Sequence, residues 1–121
     1  MNKTKVLYEG KAKIVYETDE ADKLIVYFKD DATAGNGEKK GTIKDKGIIN
    51  NKMSEFFFKL LKTNGIEGHY IETLSEREMA VKSLRMIALE VIVRNVAAGS
   101  LAKRLGLPEG TPLNTPVLEY C

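Results

Sequence analysis

The run Leu24-Ile25-Val26-Tyr27-Phe28 decides the fold. Five consecutive apolar, β-prone residues read as a strand. Working back towards the N-terminus, Asp19-Glu20-Ala21-Asp22 is a polar turn, preceded by the β-prone runs Ile14-Val15-Tyr16 and Val6-Leu7-Tyr8, which join through Glu9-Gly10-Lys11-Ala12-Lys13. Three short strands with polar turns between them predict an antiparallel meander. Working forward, Lys29 to Gly41 holds three glycines, Asn36 and several charges with little apolar content, and reads as a connecting loop. A helix follows. Asp45 stands at the N-cap position, Ile49, Met53, Phe56, Phe57, Leu60 and Leu61 recur at helical spacing to form an apolar face expected to pack in the core, and Asn64-Gly65 supplies the stop.

Tyr70 to Leu74, Met79 to Leu84 and Ile87 to Val93 read as further strands. Ser75-Glu76-Arg77-Glu78 matches a capping box, but no helical stripe follows it, so a turn is the reading adopted. Asn95 to Leu105 reads as a short helix, stopped by Gly106 and followed by Pro108. The expectation is one α+β domain over residues 1–121: an antiparallel sheet with one long and one short helix.

Composition narrows the function classes. A formal net charge of +2 gives no bulk attraction to nucleic acid or membrane. The one cysteine, Cys121, offers neither an internal disulfide nor a thiolate cluster. No signal-like apolar segment opens the chain, and no apolar run approaches the roughly 18 residues of a membrane helix, so a cytoplasmic protein is expected. The chain ends on Pro116-Val117-Leu118-Glu119-Tyr120-Cys121, a strand-like run without a closing turn. That ending predicts a chain cut short, with an unfinished strand open to self-association as a homo-oligomer.

Three segments could carry chemistry. In Glu9 to Tyr16, Gly10 allows close backbone approach, and Lys11 and Lys13, two apart, would emerge on one face of a strand as a clamp for nucleotide phosphates. The alternative is a solvated hairpin face. In Asp30 to Gly41, small residues could form a lid, with Asp30 or Asp31 orienting a substrate ammonium or hydroxyl; the alternative is a plain connection. In Val93 to Gly106, Arg94 closes an apolar strand, and Ala97-Ala98-Gly99-Ser100 opens a helix whose free N–H groups favour an anion. There the alternative is an Arg94–Glu90 ion pair. His69 is the one histidine and has no carboxylate or second histidine in its local pattern, which favours a structural role. Lys103 and Arg104 read as a solvated face.

In this order and at these separations, GKAK at Gly10 to Lys13, DATAGNG at Asp31 to Gly37, KGIINNKMSEFFF at Lys46 to Phe58 and EVIVRNVAAGSLAKRLG at Glu90 to Gly106 resemble the N-terminal half of SAICAR synthetase. The resemblance runs through the whole chain and is most specific at the RN-x-AAGSL stretch. It implies an N-terminal, nucleotide-binding lobe related to ATP-grasp enzymes and distantly like the small lobe of a kinase. It implies ATP, carboxyaminoimidazole ribotide (CAIR) and L-aspartate as small-molecule partners, with magnesium held by ligands in the C-terminal half. Carried onto this sequence, Lys11 and Lys13 would hold phosphates, with Gly10 and Ala12 giving backbone proximity. Val15, Leu24, Val81 and Met86 would wall the adenine, and backbone groups from Lys82 to Leu84 would meet its edge. Arg94, Gly99 and Ser100 would bind the phosphoribosyl substrate, and the loop carrying Thr33, Gly35 and Asn36 would close over the reacting centre. On this reading catalysis rests on Lys11, Lys13 and Arg94, and the chain alone is at most a nucleotide-binding half. A basic RNA-binding module built on Lys39, Lys40, Lys103 and Arg104 is disfavoured, because those charges lack interleaved aromatics for base stacking.

Overall fold

The computed structural model describes residues 1–35 and 37–121. They form two compact units, Met1–Leu84 and Arg85–Cys121. Unit 1 contains β1 (Lys3–Glu9), β2 (Lys13–Thr18), β3 (Lys23–Phe28), β4 (Asp31–Ala34), β5 (Lys39–Thr42), α1 (Lys46–Thr63), β6 (Tyr70–Thr73) and β7 (Glu78–Lys82). Unit 2 contains β8 (Val91–Val96), α2 (Gly99–Leu105) and β9 (Pro112–Tyr120).

The expected meander is the first three strands of a five-stranded antiparallel sheet of order β1-β2-β3-β7-β6. The LIVYF run is strand β3, between β2 and β7 and buried on both faces. Val26 and Phe28 join Met79 and Val81 in the core cluster on one face, while Ile25, paired with Ala80, is buried on the other. Val15, Leu24, Phe58 and Tyr70 pack against that cluster. Strand β1 is the exposed edge, and its lysines Lys3 and Lys5 pair with Glu78 and Glu17. Charge on an edge strand discourages further pairing.

Two expectations are corrected here. Lys29 to Gly41 is not a plain loop: β4 and β5 pair antiparallel, Asp31 opposite Thr42 and Thr33 opposite Lys40, with Gly35 and Gly37 at positive φ. The alternation of such short, polar strands carries no hydrophobic signal. The apolar stripe of α1 is not its packed face either. Ile49, Met53, Phe56, Phe57, Leu60 and Leu61 are all exposed, whereas the helix buries Gly47 and Asn51 and half-buries Phe58.

The buried face is built by polar and steric fit. A Cβ on Gly47 would stand 2.2 Å from the Phe28 carbonyl oxygen, so only glycine lets the helix start so close to β3. One turn on, the Asn51 side-chain amide donates to the carbonyls of Ser75 (2.9 Å) and Glu76 (3.0 Å), fastening α1 to the β6–β7 turn. That segment is a turn, as read from the sequence: the N–H groups of Leu74 and Ser75 both donate to the Glu78 carbonyl. Asp45 does precede the helix, but its side chain makes no cap and its backbone is left-handed (φ 66°). Asp30 caps instead, accepting from the Gly47 N–H at 2.8 Å.

In unit 2, β8 and β9 form a two-stranded ribbon with Val91 opposite Tyr120 and Val93 opposite Leu118. Ile87 and Leu89 lie outside the strand expected to begin there. Helix α2 starts at Gly99, and Gly106 ends it at φ 67°. Among the described residues, no helix is long and apolar enough to cross a membrane.

Candidate functional site

The β1–β2 connection is a tight turn in which the Gly10 N–H donates to the Lys13 carbonyl at 2.9 Å. Lys11 lies in the bend and only Lys13 is in a strand, so strand alternation does not place the two on one face as expected. Both are exposed, and neither makes an ion pair among the described residues. Two ammonium groups left without carboxylate partners at one turn are suited to an anion. At Gly10 a Cβ would stand 2.8 Å from the Tyr8 hydroxyl, so the space a side chain would take is filled by the tyrosine ring.

Lys29, which no local pattern singled out, lies at the root of this turn. Its ammonium is 2.8 Å from a Glu9 carboxylate oxygen, 3.2 Å from the Gly10 carbonyl and 3.2 Å from an Asp31 carboxylate oxygen. Its N–H also donates to the Ala12 carbonyl at 2.8 Å. The Glu9 carboxylate first, and then Asp31, raise the pKa of Lys29 above the usual lysine value.

Register places Val15, Leu24 and Val81 on one sheet face, through the pairs Val15–Val26, Leu24–Val81 and Val26–Met79. Val15 and Leu24 are half-buried, but Val81 is 2% exposed and already part of the core. At the end of β7 the Lys82 and Ser83 N–H groups are committed to the carbonyls of His69 and Asp22. The Leu84 N–H donates to no backbone carbonyl among the described residues. Met86 belongs to unit 2, where it is exposed. His69 stacks edge-on against Phe58 at 5.1 Å, and burial, reinforced by the charge of Lys13, pushes its pKa below the ordinary histidine value.

The expected lid is the β4–β5 hairpin. Thr33 is in β4, Gly35 follows it, and Asn36 lies outside the described residues. Asp30, one of the two acids that could have oriented a substrate, is committed within the protein. Arg77 grips it from the β6–β7 turn through two contacts of 2.5 and 3.0 Å, and the Gly47 and Asp45 N–H groups donate to the same carboxylate. The Arg77 hydrogen bond is the main reason the Asp30 pKa falls to about 2.

In unit 2, Arg94 is paired, but with Glu119 across the ribbon (2.7 Å) and not with Glu90. Its guanidinium also donates to the Ala98 carbonyl at 3.1 Å and lies 3.9 Å from where a Gly99 side chain would begin. Arg104, read as a solvated face, binds the other oxygen of Glu119 and donates to the Ser100 carbonyl. Arg94, then Arg104, lower the pKa of Glu119, whose side chain is 8% exposed. Arg94, Gly99 and Ser100 are thus brought together around an acid held by two arginines. Glu119 is distant in sequence, and only strand pairing reveals it. Helix α2 has seven residues, too few for its dipole to add much anion affinity.

Comparison with known proteins agrees with this architecture. Phosphoribosylaminoimidazole-succinocarboxamide synthase of Clostridium botulinum (strain Alaska E43 / Type E3) is 58% identical over 120 residues, 99% of this chain and 51% of the relative. The crystal structure of the Ehrlichia chaffeensis phosphoribosylaminoimidazole-succinocarboxamide synthase superposes with a TM-score of 0.89 at 43% identity, over 96% of this chain and 49% of that one. A SAICAR synthetase in complex with ADP superposes with a TM-score of 0.86 at 52% identity, over 93% and 48%. The chain spans about half the length of the curated relatives it matches. The family model for SAICAR synthetase matches residues 6–121, taking in the lysine turn, the hairpin, α1 and the arginine ribbon, and the chain belongs to that family.

Proposed function

We propose that residues 1–121 are the N-terminal nucleotide-binding domain of a ligase of purine biosynthesis, which joins L-aspartate to CAIR at the expense of ATP. The observation that carries this reading is the pair of exposed lysines, Lys11 and Lys13, without ion-pair partners among the described residues, in a chain of this family. The superposed relative in complex with ADP supports nucleotide as the ligand.

In this reaction a carboxylate oxygen of CAIR attacks the γ-phosphorus of ATP, and ADP leaves. The aspartate amine then attacks the acyl phosphate carbon, losing a proton as inorganic phosphate departs and the succinocarboxamide forms. Such chemistry needs placement and charge neutralisation more than a protein nucleophile. Lys11 and Lys13 neutralise phosphate oxygens, with the Ala12 N–H beside them, since the Gly10 N–H is committed to the Lys13 carbonyl. Val15 and Leu24 form the accessible wall for adenine, backed by the buried Val81. In the segment Lys82 to Leu84, the Leu84 N–H and the carbonyls serve the adenine edge, since the other two N–H groups are committed. Arg94, Gly99 and Ser100 hold the phosphoribosyl group, and Thr33 and Gly35 of the β4–β5 hairpin are further substrate-binding residues.

Magnesium is the expected companion of the nucleotide. Among the described residues no three Asp, Glu, His or Cys side chains converge on one point, so this donor set does not fit a resident ion.

Calorimetric titration with ATP tests the site. Binding that is lost in the Lys11→Ala, Lys13→Ala double variant is expected. A folded wild-type chain that takes up no ATP would overturn the nucleotide reading.

A further inference from the structure

We infer that Lys29 is a positioning residue: it ties the phosphate-binding turn to the β4–β5 hairpin and masks two carboxylates beside that turn. The inference rests on the nucleotide reading of Lys11 and Lys13 and adds a residue that makes no contact with the ligand.

An ammonium has three N–H donors, and Lys29 has three acceptors within reach: Glu9, the Gly10 carbonyl and Asp31. With its donors committed and its side chain 16% exposed, Lys29 has little left to offer a phosphate. Lys11 and Lys13 are the converse, exposed and without ion pairs among the described residues.

Glu9 and Gly10 open the turn that carries Lys11 and Lys13, and Asp31 is the first residue of β4. The backbone repeats the link, since the Lys29 N–H holds the Ala12 carbonyl. Phosphate turn and hairpin are therefore fastened at one nitrogen. Without the ammonium, Glu9 and Asp31 would stand unneutralised next to a site meant for a polyanion, and like-charge repulsion would act directly on the phosphates. Adenosine, which carries no phosphate, would not feel it.

The test titrates ATP and adenosine separately into the 121-residue chain as wild type, Lys29→Met and Lys29→Arg. Lys29→Met is expected to weaken ATP by about tenfold or more and to leave adenosine within about twofold, with Lys29→Arg recovering most of the ATP affinity. Unchanged ATP affinity in Lys29→Met, or equal losses for ATP and adenosine, would overturn the assignment. Amine acylation of the wild-type chain, read by mass spectrometry, needs no variant to fold. Lys11 and Lys13 should label fast and be protected by ATP, while Lys29 labels slowly with or without it. Labelling of Lys29 as fast as Lys11 in the free chain also overturns the tie. If the wild-type chain binds no ATP, the nucleotide reading fails and takes the inference with it. ATP binding that is indifferent to Lys29 sinks the inference alone.

Discussion

Asp30 gathers four N–H donors onto one carboxylate: two from Arg77 and one each from the backbone of Asp45 and Gly47. Its folded pKa, about 2, lies below the usual aspartate value of 3.8, so the folded state holds its proton less tightly than the unfolded chain. The stabilisation is therefore complete above the unfolded value and is lost as pH falls through about 2. Asp30→Asn is expected to lower the melting temperature at neutral pH and to flatten the acid limb between about pH 4 and 2. Parallel acid limbs in the two proteins, followed by circular dichroism, would show that the ion pair does not govern acid stability. The sequence placed two acids here but could not rank them. Their separation into a structural Asp30 and an Asp31 bound to Lys29 depends on Arg77, 47 residues away.

At the scale of elements, α1 makes the sharpest claim, because phenylalanines two residues apart have opposite fates. Phe58 packs on the core and stacks with Tyr70 at 5.9 Å, while Phe56 is 62% exposed. Phe58→Ala should cost about 2–4 kcal/mol, and Phe56→Ala should stay within about 0.5 kcal/mol, as read by urea denaturation. Equal costs would mean that the apolar stripe, and not the Gly47–Asn51–Phe58 face, is packed. Helical periodicity located this helix within a residue at its start, yet misassigned its buried side. Periodicity finds where apolar residues cluster, and here the sheet is met by a glycine, a buried asparagine and one aromatic ring. The meander and the β6–β7 turn were legible because apolar runs and turn residues mark them; of the short helix read over Asn95 to Leu105 only the Gly106 end was, since Asn95 and Val96 belong to β8 and the helix starts at Gly99. The β4–β5 hairpin was not, because DATA and KKGT offer neither β-branched alternation nor an apolar face. In the candidate site the lysine turn and Arg94 were legible as cations beside glycine and small residues. Lys29, Glu119 and Arg104 were not, since their roles follow from strand pairing across long sequence separations.

For the molecule as a whole, the sequence reading was one α+β domain over residues 1–121, and the structure places these residues in two compact units. Much of its apolar surface stays in contact with water. The unpacked stripe of α1 is one part of it, and the ribbon face carrying Val91, Val93, Leu118 and Tyr120 is another. The consequence is calorimetric. The heat-capacity increase on unfolding comes from hydrating apolar groups that were dry in the native state, and here many are wet from the start. An ordinary chain of this length would show roughly 1.5 kcal/mol/K. This one should fall clearly below that in scanning calorimetry, with a correspondingly shallow denaturant dependence, and a full-sized heat-capacity step would mean that the α1 stripe is covered in solution. A flat stability curve is the thermal signature of a helix whose most apolar side faces water.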